Sequence, residues 1–174
     1  MMPIRARALS ALAGLLLALA PANLMAAEPL EAPTGRVILE IGGAVTNPND
    51  AAQARFDLAM LDALPQRETV TATPWHDGAQ TFTGPLIADL LDRVGAEGST
   101  LRVVAINDYA VDIPVEDVRQ HPVILASRQN GAPMPVRDKG PLFVIYPFDE
   151  KPELFNEVYF SRSVWQVRKI EILP

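Results

Sequence analysis

The stretch QTFTGPLIADLLDRVG, residues 80–95, shows the pattern that recurs along the whole chain. Residues 80–83 precede a Gly84-Pro85 pair. Residues 86–94 then place Leu and Ile at the spacing of one helical face, and the glycine at position 95 is typical of a helix C-terminus. The stretch therefore predicts a short helix that follows the Gly-Pro pair and ends at Gly95.

Short apolar runs on both sides of this stretch extend the same pattern. Strands are predicted over 36–45, 68–73, 101–106, 109–113, 123–127, 142–146 and 163–173. Further short helices are predicted within 51–64 and over 115–120, and Asn130-Gly131 is a strong hairpin signal. These elements indicate one compact, strand-rich α+β domain with short helices.

Composition excludes several classes of function. The chain has 174 residues, no Cys, and 15 basic against 21 acidic residues, for a net charge of −6. Without Cys there is no disulfide, thiolate nucleophile, Cys-ligated zinc or iron–sulfur cluster. An acidic chain is also a poor partner for nucleic acid. Only His76 and His121 could act as imidazole bases, so we predict no catalytic residue and no metal site.

The first 27 residues are typical of a secretory signal peptide. Arg5 and Arg7 precede an apolar run over 8–20, and small residues follow up to Ala27. A membrane anchor would need about 20 apolar residues, and Pro21 ends this run earlier. We therefore expect residues 1–27 to be removed on export to the periplasm, 28–35 to be a flexible lead-in, and 36–174 to be the domain. Cleavage removes two arginines and no acid, which changes the net charge from −6 to −8.

Three predicted loops place aromatic, amide and charged side chains at the ends of strands. They are Trp75-His76-Asp77, Asn107-Asp108-Tyr109 and Arg137-Asp138-Lys139-Gly140. Such loops are where small-ligand sites usually lie, and aromatic faces beside a carboxylate suit a flat heteroaromatic ring. The alternative is that Trp75 is a core residue, Asp108 stabilises a turn and the third loop is a solvated hairpin.

Several ordered motifs resemble the sulfite-oxidase-type molybdopterin-binding domain. They are FTGPL (82–86) with DLL (89–91), IP (113–114), LA (125–126), NGAPM (130–134), KGPLFVIYP (139–147), and SVWQ (163–166) with IEI (170–172). The resemblance covers the chain from about residue 36. It implies a single compact, strand-rich α+β domain with mixed β-sheets and short helices.

The chain departs from this family at one chemically decisive position. In catalytic members a strand similar to residues 69–73 delivers a cysteine that ligates molybdenum, whereas here Pro74-Trp75 follow that strand and no Cys exists. The chain thus resembles a Cys-less branch, the exported pterin-binding proteins of the PruR type. That resemblance implies a non-catalytic periplasmic sensor that binds a reduced pterin without molybdenum and docks on an inner-membrane enzyme controlling cyclic-di-GMP. The alternatives are a molybdenum-cofactor oxidoreductase, or a subunit of one, and a scaffold that binds nothing.

The resemblance also implies which residues contact the pterin. Trp75 and Tyr109 would stack on the ring, and either Asp108 or Asp138 would accept hydrogen bonds from its N–H groups. Asn107, Arg137 and Lys139 would contact the ring carbonyl or the side-chain hydroxyls of the ligand. Two further candidates before the last strand are Arg162 and Ser163.

Overall fold

The computed structural model describes residues 28–174, which form eleven strands and four α-helices. The strands are β1 (Val37–Gly43), β2 (Ala54–Asp57), β3 (Gln66–Ala72), β4 (Ala79–Pro85), β5 (Thr100–Ala105), β6 (Ala110–Pro114), β7 (Ile124–Ala126), β8 (Arg128–Gln129), β9 (Ala132–Pro133), β10 (Phe143–Ile145) and β11 (Val167–Leu173). The helices are α1 (Leu58–Ala63), α2 (Ile87–Val94), α3 (Val115–Gln120) and α4 (Glu157–Arg162). Short 3₁₀ turns cover Val136–Asp138 and Pro152–Leu154.

The largest sheet has the strand order β2-β1-β11-β5-β6. β1 and β11 pair in parallel and the other neighbours are antiparallel, so the sheet is mixed. The main core is built from alternate residues of these strands, such as Leu39, Ile41, Val103 and Ile170, together with the apolar face of α2. The strand-rich α+β fold with mixed sheets and short helices is thereby confirmed.

A second, smaller core underlies the part of the molecule where the predicted loops lie. The sheet β3-β4-β8-β9 packs beside the antiparallel pair β10-β7. Phe82, Ile124, Met134, Phe143 and Ile145 belong to this second core, and Trp75 packs against it. The sheets approach closely at Gly84, where a Cβ would overlap the carbonyl oxygen of Leu125 and lie 2.7 Å from the Ala126 Cα.

The local signals in the sequence correspond to the observed elements. The opening stretch contains the predicted helix α2, whose end is closed by the Gly95 N–H donating to the carbonyls of Asp92 and Leu91; the strand β4 before it was not predicted. α3 covers the predicted residues 115–120. Asn130 and Gly131 have positive φ angles of 50° and 79° and join β8 to β9, as the hairpin signal predicts.

A second strand was missed, and one prediction of secondary structure was wrong in part. The segment 51–64 contains the strand β2 ahead of its helix, because Ala54–Asp57 pairs with β1 and the Asp57 carboxylate then accepts the Met60 N–H as an N-cap. The last strand begins at Val167 rather than at 163. Residues 157–162 form the unpredicted helix α4. Trp165 then makes an isolated antiparallel bridge with Phe143, and the positive φ of Gln166, 55°, interrupts the extended backbone directly before β11.

The segment that precedes the domain is tied to it at several points. Residues 28–35 have no regular secondary structure, yet Leu30 is part of the main core. The backbone N–H groups of Thr34 and Gly35 donate to Asp57 Oδ2 at 3.0 and 2.7 Å. The predicted signal peptide, residues 1–27, lies outside the described residues. Within residues 28–174, no helix has the length and apolar character to cross a membrane.

Candidate functional site

Four chain segments converge on a cavity of about 500 Å³, called here the aromatic cavity. They are the loop after β3, the β5–β6 turn, α4, and the link between α4 and β11. The lining residues are Pro74, Trp75, Ala105, Asn107, Tyr109, Glu157, Phe160, Ser161, Ser163, Val164 and Trp165. The volume lies within the range typical of small-molecule sites.

Aromatic rings form much of the wall of this cavity. Trp75 and Trp165 are the two tryptophans of the chain, and their ring centroids lie 5.4 Å apart at 70°. Phe160 lies 6.2 Å from Trp75 at 77°, and Phe143 of the second core lies 5.8 Å from it. Edge-to-face packing of this kind stabilises a rigid arrangement. Trp75 therefore packs against the second core on one side and lines the aromatic cavity on the other.

The β5–β6 turn supplies the polar side of the cavity. The backbone N–H of Asp108 donates to the Ala105 carbonyl, and Asn107 Oδ1 accepts the Tyr109 N–H at 3.2 Å. The Asn107 side-chain NH₂ makes no hydrogen bond to residues 28–174 and remains a donor. Tyr109 is 54% exposed at the cavity edge. Asp108 has a positive φ of 66° and turns its carboxylate away to Arg168 Nη2, 2.5 Å from Oδ1.

A half-buried cluster of one arginine, one aspartate and one tyrosine attaches α4 to the rest of the domain. Arg162 Nη1 donates to Asp117 Oδ2 at 2.6 Å, and the Tyr146 hydroxyl donates to the same oxygen at 3.0 Å. Burial, reinforced by the Asp117 charge, raises the pKa of the Tyr146 hydroxyl above its usual range. The Arg162 guanidinium also lies 5.5 Å above the Tyr159 ring. Arg162 therefore holds the helix that carries cavity residues, and its own side chain faces away from them.

A second cavity, of about 410 Å³ and called here the basic cavity, lies beyond the Trp75-His76 segment. The predicted loop residues Arg137, Asp138 and Lys139 line it together with His76 and the β8–β9 hairpin. Arg137 Nε lies 3.4 Å from Asp138 Oδ2. Burial, followed by the nearby Lys139 charge, lowers the pKa of His76. His76 Nδ1 lies 2.7 Å from the buried Thr73 hydroxyl, which orders this loop.

The nine residues predicted from the sequence thus fall into three groups. Those that line the aromatic cavity are Trp75, Asn107, Tyr109 and Ser163. Those that line the basic cavity are Arg137, Asp138 and Lys139. Asp108 and Arg162 line neither cavity and form ion pairs with Arg168 and Asp117.

Sequence reasoning missed three prominent residues of the aromatic cavity: Glu157, Phe160 and Trp165. Asn156 was an available signal for two of them, because Asn commonly caps a helix and its Oδ1 accepts the Val158 N–H at the start of α4. Trp165 was part of the motif SVWQ, but its position was interpreted as strand.

The residues present do not offer the protein ligand that the family's metal requires. The sequence has no Cys, and within residues 28–174 no cluster of three or more His, Cys, Asp or Glu side chains is arranged to hold a metal ion. Trp75 follows β3 and lines the aromatic cavity. The arrangement is suited to holding a flat ring between aromatic and amide groups.

Comparison with known proteins identifies the fold family. Residues 38–173 match the family described as oxidoreductase molybdopterin binding domain. A similar solved structure is the sulfane dehydrogenase SoxCD from Paracoccus pantotrophus, with a TM-score of 0.57 and 18% identity over 78% of this chain. The chain spans 37% of the length of that protein. No curated protein sequence matches the chain. The match over 38–173 covers nearly all of the described residues, and the chain belongs to the family of oxidoreductase molybdopterin-binding domains.

Proposed function

We propose that the chain is a non-catalytic, exported pterin-binding protein that reports a reduced pterin to a membrane-bound signalling enzyme. The observation that carries this proposal is a 500 Å³ cavity walled by both tryptophans, in a member of a pterin-binding family that has no cysteine. The molybdenum-ligating thiolate is the group on which the family's redox chemistry depends. Without this thiolate, we infer that the domain retains pterin binding and not redox catalysis.

The lining chemistry supports a pterin as the ligand. A bicyclic, flat, polar ring gains dispersion and electrostatic energy against Trp75, Tyr109 and Trp165. The unbonded Asn107 NH₂ can donate to the ring carbonyl. The Ser163 hydroxyl donates to the Tyr159 carbonyl at 2.9 Å and keeps its lone pairs for a ligand N–H.

The basic cavity supports a role in binding the polar side chain of the ligand. Trp75 and His76 are consecutive residues and line one cavity each. A pterin with its ring in the aromatic cavity can extend its hydroxylated side chain toward Arg137 and Lys139. These are hydrogen-bond donors for hydroxyl oxygens.

Binding is tested on the exported protein, recovered from the periplasmic fraction of a host that expresses the full sequence, by anaerobic calorimetry with tetrahydrobiopterin. Stacking on one aromatic face contributes about 1–3 kcal/mol, so Tyr109→Leu should weaken binding about 5- to 150-fold. Val70→Ala is the matched control, because Val70 is 55% exposed, as Tyr109 is at 54%, and lies on β3 outside both cavities. Equal affinity of the two variants would contradict ring stacking in this cavity.

Elemental analysis separates this function from the alternative of a molybdenum oxidoreductase. We expect less than stoichiometric molybdenum and a raised melting temperature with the pterin, since a ligand specific for the native state stabilises it. Stoichiometric molybdenum would favour the oxidoreductase. A melting temperature unchanged by pterin, together with no metal, would leave a scaffold without a ligand.

The export and signalling parts of the proposal rest on the N-terminal pattern and on the resemblance to the PruR type. Cell fractionation and the mass of the purified protein test removal of residues 1–27. Deleting the gene in its host should change the cellular cyclic-di-GMP level, and the change should disappear when pterin synthesis is blocked. A deletion strain with an unaltered cyclic-di-GMP level would contradict the signalling role.

A further inference from the structure

Among the described residues that line the aromatic cavity, one carries a negative charge: Glu157, the first residue of α4. The other lining residues are apolar, aromatic, amide or hydroxyl in character. Glu157 is exposed where it lines the cavity, and no basic residue among the described ones lines the same cavity.

The two acids predicted from the sequence cannot take this place. The Asp108 side chain is 81% exposed and pairs with Arg168. Asp138 lines the other cavity and lies beside the Arg137 guanidinium. Each of these carboxylates already has a cationic neighbour and lies outside the aromatic cavity.

Glu157 is held in position from both ends of its helix. At the start, Asn156 Oδ1 accepts the Val158 N–H at 3.0 Å, and Asn156 Nδ2 donates to the Glu153 carbonyl at 2.9 Å. At the end, Arg162 binds Asp117. Within residues 28–174, the Glu157 carboxylate itself has no hydrogen-bond or ion-pair partner, so both of its oxygens are available as acceptors.

We propose that Glu157 is the residue that selects the ligand, by accepting two parallel hydrogen bonds from the N3–H and the 2-amino group of a 2-amino-4-oxopyrimidine ring. This inference rests on the proposed function and specifies the chemical class of ligand that the site recognises. A carboxylate matches two adjacent N–H donors in bidentate geometry, and such charge-assisted pairs are about twice as strong as neutral ones. Pterins and guanine share this edge, whereas lumazine carries a second oxo group in place of the 2-amino group.

The test is calorimetry of the full chain with pterin and with lumazine, for the wild type and for Glu157→Gln. We expect Glu157→Gln to weaken pterin binding about 10- to 100-fold, because the charged acceptor is lost. Lumazine should bind the wild type weakly, since its 2-oxo group would face the carboxylate. Glu157→Gln should bind lumazine as well as or better than the wild type, because the Gln amide can donate to that oxygen.

Glu153→Gln is the matched control. It removes the same charge from the 3₁₀ turn just before α4, and Glu153 does not line the cavity. We expect its pterin affinity and melting temperature to equal those of the wild type. Unchanged pterin affinity in Glu157→Gln, or an equal loss in both variants, overturns this inference and leaves the proposed function standing. A wild-type protein that does not bind pterin overturns the proposed function and this inference with it.

Discussion

Replacing Arg162 with Met removes the guanidinium that holds α4 against α3. Arg162 Nη1 lies 2.6 Å from Asp117 Oδ2, and the Asp117 side chain is only 12% exposed. Met keeps an unbranched side chain over the Tyr159 ring, so the substitution removes the charge with little loss of packing. It leaves a largely buried carboxylate with the Tyr146 hydroxyl as its remaining side-chain partner.

The expected loss of stability follows from this burial. Removing one partner of a buried ion pair costs about 3–5 kcal/mol, because the other charge is left without compensation. The Arg162 side chain is 22% exposed, so water screens part of the interaction and the lower end, about 3 kcal/mol, applies. In a domain of this size 1 kcal/mol corresponds to about 2–4 °C, so the melting temperature should fall by roughly 6–12 °C.

The double variant Asp117→Asn/Arg162→Met serves as the rescue. Asn still accepts the Tyr146 hydroxyl and no charge remains buried, so most of the lost stability should return. Thermal unfolding followed by circular dichroism measures this recovery. Tryptophan emission follows the aromatic cavity, because Trp75 and Trp165 are the chain's two tryptophans and both line it.

The same pair of variants separates two roles for Arg162. If Arg162 acts through α4, pterin affinity falls in Arg162→Met and returns in the double variant. If Arg162 contacts the ligand, the affinity stays low in both. A single variant as stable as the wild type, or a double variant no more stable than the single, would refute the reasoning about the buried pair.

Three further outcomes test other parts of the structure. Gly84→Ala should prevent folding or lower the yield of soluble protein sharply, because the new methyl group would overlap the Leu125 carbonyl oxygen; a normal melting curve would contradict the close approach of the two sheets. Phe143→Ala should cost about 3–5 kcal/mol in urea unfolding and red-shift tryptophan emission, since Phe143 packs on both indoles. The lowered pKa of His76 means that the fold favours the neutral ring, so its contribution to stability is complete above pH 6.5, its ordinary value, and is lost as the pH falls through that value toward the lowered pKa. Melting temperatures measured from pH 8 to pH 5 should therefore fall less steeply for His76→Gln than for the wild type, and parallel curves would count against this assignment.

Elements with a local signal were predicted correctly from the sequence. The helix α2 has its apolar spacing and its C-terminal glycine within a few residues of each other, and the hairpin at Asn130-Gly131 depends on two adjacent residues. β2 was missed because its identity depends on pairing with β1, a contact between distant parts of the chain. A strand of four residues carries too little alternation to be recognised on its own.

The sequence predicted which loops form the candidate site. It did not predict which way their side chains point. Asp108 pairs with a residue 60 positions away, and Arg162 with one 45 positions away. Ion-pair partners so far apart in the sequence cannot be identified from the local spacing of residues. Both charges therefore looked available for a ligand in the sequence, whereas in the fold Asp108 pairs with Arg168 and Arg162 pairs with Asp117.

The sequence by itself determined the absence of a thiolate ligand, the short local elements and the resemblance that the family match confirms. Composition and local periodicity need no knowledge of the chain path. The tertiary structure alone decided that the predicted residues divide between two cavities, that Trp165 joins Trp75, and that Glu157 is the acid beside them. The physical reason is that backbone conformation follows from neighbouring residues, whereas the surroundings of a charge or a ring depend on segments that only folding brings together.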